Sequence, residues 1–277
     1  MAILALPSLE PISAPNALTP IDPLAPPYPL SHARILYDNL FDNAVVSIPA
    51  AQGITNPNTY ERWIRSGSDL SITITQTSPQ TIDAIAIGAH NLGTIGSTVT
   101  ISTSAASTGT FTTRATLSPD DDKAIIVLLG SEITAQRIRI TLGGLVLGAE
   151  IGVLYAGIAL AMQRPIFGGH APIHLNAETT YSNNASETGN WLGRTIVRNG
   201  YSTSYNWQFL TDDWYRDNFQ PFVVTGRKKP FFIAWRPDLY PNETAYCWMT
   251  SDPKPSNRGG GTNYMEVSID VQGYADR

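Results

Sequence analysis

His170 and His174, four residues apart, are the pair in this chain whose type and spacing come nearest to a metal site. A zinc pair of that spacing sits on a helix, and the metalloprotease version adds a glutamate beside the first histidine. Pro172 breaks any regular helix between them and the glutamate is missing, so both read as loop histidines. Asp120-Asp121-Asp122 offers oxygen ligands of the kind calcium takes. No Asp, Asn or Gly follows at the spacing of a known calcium loop, and the run reads as a solvated turn. His90-Asn91, in the stretch Gly88-Ala-His-Asn-Leu-Gly93, could supply a general base, yet no Ser or Cys occupies a nucleophile elbow. Gly259-Gly260-Gly261 lacks the Lys and helix of a phosphate cradle, and Arg227-Lys228-Lys229 reads as a solvated turn rather than a phosphate clamp. With four histidines in all, only carboxylates remain for acid–base work. The expectation is a protein with no catalytic residue, no metal and no cofactor.

Aromatic side chains are more numerous than these polar groups. Trp207, Trp214, Trp235 and Trp248, with Tyr201, Tyr205, Tyr240 and Tyr246, could line a sugar platform or fill a core and subunit interface. The elements that carry them favour core and interface. In Tyr201–Phe209 every odd position except Thr203 is aromatic and every even one polar, which predicts a strand with one dry face. Met265, Val267, Ile269 and Val271 alternate as strictly, and Phe231–Trp235 is apolar on both faces, as a central strand is. Between them Thr211 or Asp212 can cap a helix along which Tyr215, Phe219, Phe222 and Val223 form a stripe. Pro221 interrupts it, predicting two short helices with Pro221 in the first turn of the second.

Upstream, residues 33–161 read as short strands. Ser71–Thr75 alternates, Ile85 and Ile87 share a face, Val99 and Ile101 point inward, and Ile125-Val127-Leu129 and Ile138-Ile140-Leu142 repeat the two-residue period. Clusters such as Ser78-Pro79 and Asn91-Leu92-Gly93 separate them, a pattern that predicts a sandwich or jelly roll. Residues 1–32 carry prolines too densely for helix or central strand, interleaved with Leu4, Leu6, Leu9, Ile12, Leu18, Ile21 and Leu24. They predict an extended arm that docks on a neighbouring subunit. Arg164-Pro165 and Gly168-Gly169 mark a hinge, so the expected division is 1–32, 33–162 and 163–277.

The 277 residues are 42% hydrophobic and only 15% charged, which predicts surfaces made for contact with other subunits. A net charge of -5 without a basic block argues against nucleic-acid binding. Cys247 is the only cysteine, so no intrachain disulfide forms, and flanked by Tyr246 and Trp248 it reads as a small buried residue. No signal-like leader precedes Arg34, the first basic residue, and no stretch is long enough for a membrane span. The expectation is a soluble chain.

Residues 33–160 resemble discoidin or galactose-binding-like jelly rolls. The likeness is carried by Trp63-Ile64-Arg65-Ser66, Thr81–Ile87, Val99–Ser104 with Phe111, and Ala135–Ile140 in that order. It implies ligand loops at one end of the sandwich, which map to Asn56–Tyr60 and Asn91–Thr94. Asn56, Tyr60, His90, Asn91 and Thr94 are therefore the candidate ligand residues. The whole chain is also similar to minor tail proteins of long-tailed bacteriophages, through Ala33–Leu40, Ala89–Gly93, Leu210–Tyr215 and Pro230–Pro237. That likeness implies a mainly β chain, a jelly-roll sandwich followed by a tail-tube-like barrel or sandwich with a short helical segment. It further implies a ring in a virion tail, assembled in the host cytoplasm, that joins the tube to the tip or baseplate. The implied partners are copies of itself and other tail proteins. The alternative is a carbohydrate-binding adhesin that touches a host-surface glycan.

Overall fold

The computed structural model describes residues 26–64, 71–144, 148–258 and 263–275. Most of the proline-rich arm, Arg65-Ser66 and Gly259–Gly261 lie outside the described residues. The chain is mainly β, in two seven-stranded antiparallel sheets and a separate two-stranded ribbon.

The first sheet runs Trp63–Ile64, Glu150–Gly157, Ser71–His90, Ile125–Gly143, Thr98–Ser104, Thr112–Leu117, with Val45–Val46 joined to Ser71–His90. It encloses a core that includes Phe41, Trp63, Ile72, Ile74, Ile85, Ile87, Val99, Ile101, Ile138, Ile140 and Leu142, all buried. The inward positions expected from alternation are the ones found. The short strands expected at 71–75 and 85–87 are instead one strand of 20 residues, with register shifts between Thr75 and Gln80 and between Ile82 and Ala84. Ser78-Pro79 thus marks an irregularity rather than a break. An exposed proline outside the ladder costs no hydrogen bond there.

The second sheet runs Tyr201–Thr211, Tyr264–Gly273, Thr244–Met249, Phe231–Ala234, Arg34–Leu36, Leu160–Ala161, with Ser256–Asn257 joined to Tyr264–Gly273. It is open, with different strands at its two edges, so of the barrel or sandwich expected for this region the closed barrel is not formed. Phe231–Ala234 is central, as its unbroken apolar run predicts. The helical segment comprises Asp212–Trp214, a π-type turn over Tyr215–Phe219, and Gln220–Gly226. Pro221 stands in the first turn of that last helix, where its missing N–H is tolerated. The two helices are joined by the π turn without a loop, and Trp207 packs edge-on against Phe219 with ring centroids 5.9 Å apart.

Arg34–Leu36 and Leu160–Ala161 pair with each other inside this second sheet, Arg34 opposite Ala161 and Ile35 opposite Leu160. The sandwich is therefore inserted between two adjacent strands of the other body, and boundaries at 33 and 162 do not follow the sheets. Arg34-Ile35-Leu36 is buried at all three positions and has no alternation that would assign it to one sheet. Across the junction Ala84, Ala86 and Ala89 leave room for Phe232 and Tyr246, whose rings lie 4.7 Å apart, and Tyr155 closes on Phe232 at 5.3 Å. Alternation thus serves both bodies: the isoleucines of Ala84–Ile87 face the sandwich core and the alanines face the other sheet. Hydroxyl groups tie the seam, with Tyr155 Oη donating to the Pro230 carbonyl (3.1 Å) and Tyr246 Oη to the Pro57 carbonyl (2.7 Å).

Candidate functional site

The five loop residues singled out from the jelly-roll likeness lie at one end of the sandwich, but most of their polar groups are spent internally. Asn56 Nδ2 donates to Glu61 (2.5 Å) while its Oδ1 accepts from the Asn58 backbone (2.8 Å). Asn91 donates to the Gly148 carbonyl (2.9 Å) and accepts from the Glu150 backbone (2.7 Å). Thr94 gives its backbone N–H and hydroxyl to Asp122 (2.9 and 2.5 Å). His90 is buried, its Nδ1 accepts from Leu92 N (3.3 Å), and burial holds its pKa below the ordinary value. Tyr60 projects, 76% exposed, and the neighbouring Glu61 raises its pKa. The two loops converge at Gly152, where an added Cβ would touch Ala89 and the Thr59 carbonyl. Pro57 is already held by Tyr246 of the other body, so this end is partly a seam within the chain.

His170 and His174 diverge. His170 packs between Tyr205 and Trp235, with ring centroids 5.5 and 4.9 Å away, whereas His174 Nε2 meets the Thr244 carbonyl at 2.9 Å. Among the described residues no three His, Cys, Asp or Glu side chains gather into a metal-holding group, and no helix is long and apolar enough to cross a membrane. In the acidic run, Asp121 pairs with Lys123 and Asp122 with Thr94. Cys247 is fully buried, and burial raises its thiol pKa. Tyr205, Trp207 and Tyr246 are core residues, and Trp235 stacks on Tyr240 at 5.1 Å while donating to Glu243 (2.6 Å).

A concave surface lies elsewhere, in a cleft of about 810 Å³ between the two bodies. That size suits a small ligand or a few protein side chains. Its apolar wall includes Tyr28, Leu30, Leu40, Ile158 and Trp214, and its acidic groups are Asp38, Asp83, Glu132 and Asp217. Among the described residues Arg34 is the one basic residue of the lining. Its guanidinium is turned onto the carbonyls of Tyr28, Pro29 and His32 (2.6, 3.1 and 3.1 Å). Asp83 Oδ1 accepts from the Ala159 backbone (2.7 Å), which pins the strand leaving the sandwich. Burial raises the pKa of Asp83, although that hydrogen bond and Arg34 pull the other way. A carboxylate set in Thr81-Ile-Asp-Ala-Ile-Ala-Ile87 was a legible signal for this place, because an acidic group in an apolar strand needs a special neighbour.

A second feature was not legible at all. Thr180–Ala185 and Trp191–Arg198 form an antiparallel ribbon whose residues are exposed at every position but Gly193. Tyr181, Leu192 and Ile196 are 47, 68 and 54% exposed, and Trp191 and Val197 are 71 and 66% exposed. Tyr181 pairs with Ile196 and Ala185 with Trp191, while register shifts at Thr180/Tyr181 and Asn184/Ala185 leave Val197 and Leu192 out of the pairing. Arg194 stacks on the Tyr181 ring at 4.2 Å and bonds Asn183 (2.7 Å).

No protein-family model matches the chain, and no curated protein matches it. Among solved structures it is similar to discoidin-like carbohydrate-binding modules. The family 32 carbohydrate-binding module of Clostridium perfringens NanJ, in complex with galactose, is 18% identical over 45% of this chain and 98% of the module, with a TM-score of 0.36. Chitosan-binding module 2 of a chitosanase/glucanase from Paenibacillus sp. IK-5, in complex with chitotriose, is 17% identical over 43% of this chain and 99% of the module, at 0.35. The C. perfringens module CpGH89CBM32-6 gives 17%, 43%, 98% and 0.35. Likeness at this level leaves the sugars named for those modules with those modules.

Proposed function

We propose that this chain is a non-catalytic structural subunit of an oligomer, of the kind that builds the tail tip or baseplate of a long-tailed bacteriophage, with its sandwich presented outward. The observation that carries the assembly part is the ribbon 180–198. A lone two-stranded ribbon is marginal in water, and its exposed apolar groups are what a partner surface would cover. Its two free strand edges offer unpaired backbone groups as well. The phage setting rests on the resemblance of residues 33–40, 89–93 and 210–237 to minor tail proteins. Light scattering and negative-stain microscopy of the purified chain are expected to show rings or larger assemblies, and proteomics of purified virions is expected to find the chain in tails. A monomer at every concentration, absent from virions, overturns the reading.

A second reading is glycan binding, and the cleft favours it. Carboxylates and Asn218 beside Tyr28 and Trp214 combine hydrogen-bond acceptors with aromatic surface, the pairing that holds a sugar ring. Glycan-array binding lost in Asp217→Ala but kept in Tyr60→Ala supports it, and no binding to any glycan removes it.

A further inference from the structure

We infer that the interdomain cleft is the receptor for the 180–198 ribbon of a second copy of this chain, so that subunits join head to tail. The inference rests on the assembly reading and names its contact.

The ribbon cannot cover its own apolar groups, because its side chains are exposed on both faces. A partner must supply the surface, and the charges select which one. Residues 180–198 carry Arg194 and Arg198 against the single acid Glu187. The cleft presents Asp38, Asp83, Glu132 and Asp217, and its one cation among the described residues, Arg34, is committed to backbone carbonyls. Basic ribbon and acidic cleft are complementary, the arrangement that steers encounter and sets register.

The apolar groups agree as well. Leu30 and Ile158 in the cleft wall are 51 and 39% exposed, so both the knob (Trp191, Leu192, Ile196) and the hole are incomplete in one copy. Aromatic residues with arginine beside them are the usual anchors of such contacts. Ribbon and cleft are different surfaces, which makes the contact heterologous. Repetition then closes a ring or runs on as a filament.

Two charge-reversal variants test this. One is the ribbon variant Arg194→Glu with Arg198→Glu; the other is the cleft variant Glu132→Arg with Asp217→Arg. All four side chains are exposed, and circular dichroism with thermal melting confirms the fold of each variant. Each variant alone is expected to self-associate about tenfold or more weakly than the parent by analytical ultracentrifugation. Mixed together they are expected to assemble again, since the intact ribbon meets the intact cleft and the reversed ribbon meets the reversed cleft, each with opposite charge. A bismaleimide linking Leu192→Cys in one copy to Ile158→Cys in another gives a second readout, independent of charge. If the parent assembles and both variants assemble equally well, the ribbon–cleft contact is wrong while the assembly reading stands. Assembly lost on deleting residues 1–25 but kept in both variants overturns it in favour of the arm. Glycan binding in the cleft of the assembled parent overturns it too. A monomeric parent defeats the assembly reading itself.

Discussion

His32, His90, His170 and His174 are all held below the ordinary histidine pKa, in each case chiefly by burial. The folded chain therefore keeps them neutral where the unfolded chain binds protons, so stability is present above the unfolded pKa of about 6.5 and falls below it. Urea midpoints are expected to drop between pH 7.5 and 5.5, and His174→Gln is expected to flatten the slope. A flat profile in the parent would show these rings free to titrate. Tyr155 acts through its hydroxyl, which burial pushes up to about 12 and which spans the seam to Pro230. Tyr155→Phe is expected to cost about 1 kcal/mol in denaturant titration, the worth of one such hydrogen bond.

Within the elements, the edge strand Tyr201–Thr211 carries the clearest departure from alternation. A register shift after Trp207 puts Leu210 inside and turns Phe209 out at φ 60 and 44% exposure, against Tyr264 and Arg258. The strict odd-position pattern placed Phe209 with Tyr205 and Trp207. No feature of Gln208-Phe209 announces a bulge, because the irregularity arises where this strand pairs with Tyr264–Gly273. Trp207→Ala is expected to cost about 3–5 kcal/mol as a large buried deletion, and Phe209→Ala about 1 kcal/mol or less as a half-exposed one. Equal losses in chemical denaturation would put Phe209 back in the core. The helix cap shows the same limit. Thr211 occupies the cap position without a side-chain cap bond, because its hydroxyl accepts from Gln163 (3.0 Å), a residue 48 positions away.

The molecule as a whole is one body inserted into another, joined through two paired strands and an aromatic seam. Two fixed exits and a shared core predict that the bodies unfold together. Calorimetry of the parent is expected to give one transition. Gly88→Val, whose Cβ would stand 3.1 Å from the Phe232 ring, is expected to cost about 1–3 kcal/mol by overpacking. Two well-separated transitions in the parent would mean that the seam is only a contact.

Local periodicity determined what depends on neighbours along the chain: strands that bury every second residue, and a helical segment arranged around Pro221. Tertiary structure decided what depends on residues far apart. It paired Arg34–Leu36 with Leu160–Ala161, brought Asp83 to Arg34 across the cleft, and left the 180–198 ribbon without cover. Asn56, Asn91 and Thr94 looked available in sequence and proved occupied, because a polar side chain is free or spent according to what folds beside it. Burial against distant surfaces is a property of the whole chain, and no window of neighbouring residues contains it.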